Sequence, residues 1–284
     1  MRLISLMSFQ KYTLFSIVVL LTSCAPNVSQ AQKSQTDWDE YELNGRIKEL
    51  TIKTYKAHEE SGSLVKDELW STKVVEFSPE GKLLKVERKG ESKETYSYSK
   101  TQKIKSCFSA DNALTSRIVT NYTKWGAIKS IVYYNASGVE TARNDYTYDQ
   151  KRQLVERLYQ DNYFGYTKEN YIEFDSAGHE IRCERYNKEN QLKEIESNTY
   201  DTNGRKILNE VDRYEGGAYA YGGSSRYTYN AEGFICVVES ATNSDEYHVT
   251  HQISYVYDSN GNYITKYTLY DWWPNIEERT IIYY

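Results

Sequence analysis

An aromatic residue followed by a short turn recurs along this chain at fixed spacing, and nothing else in the sequence restricts the fold as tightly. The turn opens at Tyr122, Tyr148, Phe174 and Tyr200, each 26 residues after the last. A second series, Phe108, Tyr134, Tyr159, Tyr186 and Tyr214, falls between them at intervals of 25 to 28. Most members start an aromatic-x-x-x-Gly or aromatic-x-x-x-Asn unit, as in Tyr134–Gly138, Phe174–Gly178, Tyr186–Asn190 and Tyr200–Gly204. A constant period of this length marks a repeat architecture.

The unit has a physical reading. Asp or Asn after the aromatic hydrogen-bonds its own backbone, and Gly or Asn supplies the left-handed residue that ends a tight turn. Before the turn, apolar residues sit two apart (Tyr146 and Tyr148, Tyr227 and Tyr229, Tyr255 and Tyr257), which places them on one face of a strand. After it comes an aliphatic such as Ile181, Ile207, Ile235 or Ile264. Strands joined by four-residue turns are antiparallel, and successive turns then fall on alternate edges of one sheet. The expected fold is all-β, a repetitive antiparallel meander of hairpins. Composition agrees: 29 Tyr against 7 Phe suits a thin sheet, because Tyr covers an apolar face while its hydroxyl reaches water.

The ends differ from the array. Arg2 and Lys11 precede an apolar run from Tyr12 to Leu21, too short for the roughly 20 residues a membrane span needs and of leader-peptide form. Leu21-Thr-Ser-Cys24 resembles the bacterial lipobox, which implies lipidation at Cys24. The expected division is therefore a leader over residues 1–23, a lipidated Cys with a polar tether over 24–37, and a β-hairpin repeat domain over 38–284. Ala25-Pro-Asn-Val-Ser-Gln30 lacks the acidic residues that surface-exposed lipoproteins carry there, so the expected location is the bacterial cell envelope, lipid-anchored at the outer membrane and facing the periplasm. Removal of Arg2 and Lys11 takes the net charge from −5 to −7, which argues against nucleic acid as a partner. Three cysteines remain, Cys107, Cys183 and Cys236, each inside a strand-like run and read as a small buried hydrophobe.

Between Trp38 and Tyr98 the spacing is irregular, although Tyr41–Gly45 and Phe77–Gly81 have the turn pattern. Terminal repeats often cap an exposed edge, and the dense charges from Lys82 to Glu94 read as such an edge. Beyond Tyr214 extra residues collect in Glu215–Ser225 and around Ala241–Tyr247, both in the second series and so on one edge. Loops on a rigid scaffold carry function more often than the scaffold does. That makes Tyr219, Tyr221 and Tyr247 candidate binding residues, expected to be exposed. Trp272 and Trp273 near the C-terminal end are candidates as a stacking platform.

Catalytic signatures are missing. There is no Gly-x-Ser-x-Gly, no P-loop, no dinucleotide fingerprint and no His-Glu-x-x-His. His248 and His251 have poor metal spacing for a strand, and no carboxylate pair stands out in an apolar context. We expect no enzyme activity, no cofactor and no metal.

Tyr227–Gly233, Tyr255–Gly261 and Thr199–Arg205 resemble the YD repeats of the Rhs family, over roughly Tyr96 to Tyr270. The resemblance implies long hairpin sheets that coil into a shell, which in large members encases a C-terminal toxin. This chain departs from that pattern. Several units lack the Gly, within that span only Arg205 follows the Gly in the family manner, and no toxin-sized segment follows the array. The expected sheet is accordingly open or partly coiled. As a function these readings imply a non-catalytic, lipid-anchored envelope repeat protein that offers a binding or scaffolding surface to an envelope protein or glycan. The alternatives are a carbohydrate-binding module of the envelope and part of an Rhs-type toxin or adhesion system.

Overall fold

The computed structural model describes residues 36–161, 165–243, 246–270 and 273–284; the leader, Cys24 and Trp272 lie outside them. Eighteen strands follow one another: β1 (Ile47–Glu60), β2 (Ser63–Phe77), β3 (Leu83–Arg88), β4 (Ser92–Tyr98), β5 (Gln102–Ser109), β6 (Leu114–Tyr122), β7 (Ile128–Asn135), β8 (Glu140–Tyr148) and β9 (Leu154–Asp161). They continue with β10 (Gly165–Phe174), β11 (Glu180–Asn187), β12 (Leu192–Tyr200), β13 (Lys206–Glu215), β14 (Ala218–Tyr229), β15 (Ile235–Thr242), β16 (His248–Tyr257), β17 (Tyr263–Tyr270) and β18 (Asn275–Tyr283). Each pairs antiparallel with its successor, for example Cys107↔Ser116 between β5 and β6 and Asn198↔Asn209 between β12 and β13.

The ladder does not end at β18. Residues Ile47 to Lys56 of β1 pair with Tyr283 to Asn275 of β18, while β1 also pairs with β2. The sheet is a closed eighteen-stranded barrel with no free edge. This corrects the open or partly coiled Rhs-like meander expected above. It also corrects the charged edge: Lys82–Glu94 lies in and between β3 and β4, paired on both sides. The expectation of a membrane reached through a lipid on Cys24, with an open sheet facing an envelope protein or glycan, is corrected with it. A closed barrel is an architecture that meets a bilayer, where it does so, through its strands.

Turns of the first series make one rim of the barrel, those of the second series the other. At the first rim the Asp or Asn does what its chemistry dictates. Asp201 Oδ1 accepts from the amides of Asn203 and Arg205, both at 2.9 Å, and Asp258 repeats this with Asn260 and Asn262. Each such turn leaves a register shift where the next strand starts, and Tyr hydroxyls are spent there. Tyr98 donates to the carbonyl of Leu83, Tyr148 to Ile128, Tyr200 to Glu180, Tyr229 to Lys206 and Tyr255 to Ile235, at 2.7–3.0 Å. In every case the acceptor is the first residue of a strand. Phe could not donate to these carbonyls, and a buried carbonyl left unpaired costs about 1–3 kcal/mol.

Tyr41–Gly45 is not a strand-joining turn. Residues 36–46 form a strap, with a single 3-10 turn at Asp39–Tyr41, that crosses the first rim. Trp38 and Tyr41 pack on Leu50, Ile52, Val75, Phe77, Leu83 and Val86, the main apolar core. Asp37 fixes one end by accepting from the Leu83 amide at 2.6 Å, Tyr98 hydroxyl at 2.6 Å and Lys103 ammonium at 2.7 Å. Arg279 Nη1 holds the middle through the Tyr41 carbonyl, and Asn262 Nδ2 the far end through the Asn44 carbonyl. The strap therefore runs from β3–β5 across the β1–β18 seam.

Gly81 is where the strap passes closest. Its φ is +79°, and a Cβ there would come within 2.7 Å of the Thr36 side chain and 2.8 Å of Trp38. Gly138 has a similar φ of +82° with nothing within 4 Å. We expect Gly81→Ala to cost about 2–3 kcal/mol and Gly138→Ala about 1 kcal/mol, measured by chemical denaturation.

Candidate functional site

Side chains directly opposite in a ladder share a face, and the faces alternate along each strand. One face carries Leu50, Val75, Glu94, Lys105, Arg157, Glu169, Arg185, Glu196 and Arg213, and the strap lies on it. The other carries Lys53, Arg117, Thr147, Asp212, Thr228, Ser254 and Thr280, all exposed. Crowding belongs to the concave side, so the first face is the lumen wall. A wall of eighteen strands is too wide for side chains to fill, and most lumen residues outside the strap region are only half-buried.

The lumen wall holds a charge ladder across five strands. Glu169, 4% exposed, receives Arg157 Nη2 at 2.9 Å, Arg185 Nε at 2.8 Å and the Tyr171 hydroxyl at 2.8 Å. Arg185 continues to Glu194 and, at 2.7 Å, to Glu196. Arg213 Nε donates to Glu194 at 2.9 Å and its Nη1 to the Tyr221 hydroxyl at 3.0 Å. Burial opposes the charge on Glu196, but Arg185 beside it holds its carboxyl below the usual range. Glu180 forms no ion pair among the described residues. Burial, then the nearby Glu196 charge, pushes its carboxyl up to about 7. No residue pattern marks a perturbed carboxylate beforehand, because the crowding arises from strand pairing. Where the ladder reaches the second rim, Thr167, Arg185, Asn187, Glu194, Arg213 and Tyr221 line a recess of about 360 Å³.

The aromatic candidates divide. Tyr219 and Tyr221 are exposed at 57% and 41%. Tyr221 belongs to the lumen recess with Arg213, whereas Tyr219 meets Tyr214 edge-on at the rim, centroids 6.2 Å apart. Tyr247 is half-buried: Arg226 stacks on its ring at 3.6 Å and its hydroxyl donates to Ser224 at 2.6 Å, both on the outer wall. The Gly-rich stretch is mostly strand β14, with only Gly216 and Gly217 in the turn. Asn243 binds the Gly222 amide at 2.8 Å, so the two insertions do meet at one rim. Trp273 is 71% exposed on the β17–β18 connection of that rim. Sequence reasoning missed Trp70, 67% exposed on the long β1–β2 hairpin; a lone Trp among Lys and Glu was the available signal.

His251 packs edge-on to Tyr270 at 4.4 Å, and among the described residues no group of His, Cys, Asp and Glu could hold a metal. Cys183 is buried, Cys107 and Cys236 half-buried, and all three are free thiols.

No family model matches this chain, and no curated protein does. Among solved structures, a porin-like protein from Bacteroides uniformis aligns over 84% of this chain and 98% of its own, with a TM-score of 0.46 and 7% identity. The Tc holotoxin pore of Photorhabdus luminescens aligns over 76% of this chain but 15% of its own, with a TM-score of 0.35 and 11% identity. Both likenesses are too slight to carry a function across.

Glu180 gives a pH test. Its proton is held more tightly in the folded chain than in the unfolded one, so its contribution to stability is present at low pH and is lost as pH rises from about 4.5 to about 7. Glu180→Gln should leave denaturation midpoints unchanged near pH 4 and raise stability on the order of 1 kcal/mol at pH 8.

Proposed function

We propose that this protein is a non-catalytic barrel of the cell envelope that stands in water and holds small polar solutes in its lumen. The observation that carries this reading is charge on both walls. A lipid-facing wall alternates apolar-out, and each Arg or Lys at the bilayer midplane costs about 2–4 kcal/mol. Here the outer wall presents Lys53, Arg117, Asp145, Lys168, Asp212 and Arg226 around its circumference. The envelope location rests on the leader-like N-terminus, and the solute-holding role on the recess at Arg213 and Tyr221, with the strap stopping the opposite end.

Closure itself favours a second reading, a barrel that spans the bilayer, since only closed sheets satisfy their backbone in lipid. One experiment separates the two. Residues 36–284, made without detergent, should sediment as a soluble monomer and stay at the bottom of a liposome flotation gradient. A chain that needs detergent and floats with the vesicles would replace the water-standing barrel with the membrane-spanning one.

A further inference from the structure

On the lumen wall just above the strap, Lys73 of β2 and Arg88 of β3 are direct cross-strand partners. Like charges directly opposite in a ladder are destabilising, so this pairing breaks a local rule, and rule-breaking places in natural folds concentrate where function is. Arg279 of β18 lies on the same face, one strand beyond Ile52. Lys105 of β5 joins from the other side through Glu94.

The carboxylates that face this cluster are already committed. Glu94 receives Arg88 at 3.3 Å, Lys105 at 3.1 Å and the Tyr96 hydroxyl. Glu277 receives Arg279 Nε at 2.9 Å. Lys73 has no ion-pair carboxylate among the described residues, and its ammonium lies 5.2 Å from the centre of the Tyr41 ring of the strap. Burial lowers its proton affinity; the more distant Glu277 charge opposes this, and Arg88 and Arg279 add to it. In an acidic protein, an excess of positive charge facing the lumen, half-buried at Lys73 and exposed at Arg88, is the complement of a small anion.

The geometry points to an oxyanion site on the lumen wall, in which Lys73 and Arg88 bind a phosphate- or carboxylate-class solute above the strap. Two donors of different shape suit such a ligand: the guanidinium as a planar fork, the ammonium as a point charge. The bound anion separates the two like charges and stabilises the β2–β3 ladder. The inference rests on the lumen being open to water.

The test is thermal unfolding of the full chain at pH 7, with inorganic phosphate titrated against chloride at constant ionic strength. The native chain should show a saturable rise in Tm of a few degrees. Lys73→Gln should unfold at or above the native Tm without anion, because the like-charge contact is gone, and should lose the phosphate response. Lys73→Arg, which keeps the charge, and Lys53→Gln on the outer wall should both retain it. No saturable rise in the native chain, or an undiminished rise in Lys73→Gln, overturns the site. So does loss of the response in Lys53→Gln. Flotation reports on the outer wall and the phosphate response on the inner one, so the two readings fail separately.

Discussion

Closure through β1 and β18 is the contact on which every other feature of this protein depends. Seventeen of the strand pairings join neighbours in sequence; the eighteenth joins residues 47–56 to residues 275–283. Without it the sheet would expose two rows of unpaired amides and carbonyls, a template for association with other chains. The chain reinforces the seam from within. The strap buries Ile47, Leu50, Val75 and Phe77 beneath Trp38 and Tyr41, and its polar anchors reach β5 on one side and the β16–β17 turn on the other. Burial of apolar surface stabilises by roughly 25 cal/mol per Å², and this cluster is the main packed core among the described residues; it sits where loop-closure entropy is greatest.

Away from the strap, a wall one sheet thick cannot rely on a deep core. Stability there comes from ladder hydrogen bonds, from cross-strand side-chain pairs, and from Tyr hydroxyls returned to the backbone at the register shifts beside the turns. The lumen side adds the Arg–Glu ladder from β9 to β13. Such networks hold strands in register when every member is satisfied and become costly when one is removed. Among the described residues Lys73 and Glu180 stand outside these ion pairs: one is a cation beside a Tyr ring, the other a carboxylate that burial holds toward its neutral form.

How much of this could be read beforehand follows from distance along the chain. Tyr200-Asp201 and Tyr257-Asp258 announce their turns because Asp, Gly and the aromatic act within five residues of one another. The strand type, the alternating rims and the meeting of the two insertions at Asn243 follow from that local chemistry. Closure was not legible, since nothing in Ile47–Lys56 or Asn275–Tyr283 marks them as partners some 230 residues apart. The site residues divide the same way. Tyr219, Tyr221 and Trp273 stood out by composition. The Arg157–Glu169–Arg185–Glu196 ladder and the Lys73–Arg88 contact exist only once the register is known, and in sequence they look like ordinary solvated charge.

Direct cross-linking of the seam tests the central claim. Thr51 and Thr280 are register partners on the exposed outer wall of β1 and β18, so a Thr51→Cys/Thr280→Cys chain oxidised at low concentration should give a disulfide within one chain, identified by mass spectrometry of the linked peptides. A high yield of that intramolecular link is the result expected of a closed barrel. Links between chains, or none between positions 51 and 280 while a β12–β13 control pair (Ser197→Cys/Glu210→Cys) forms its own, would mean that the sheet is open.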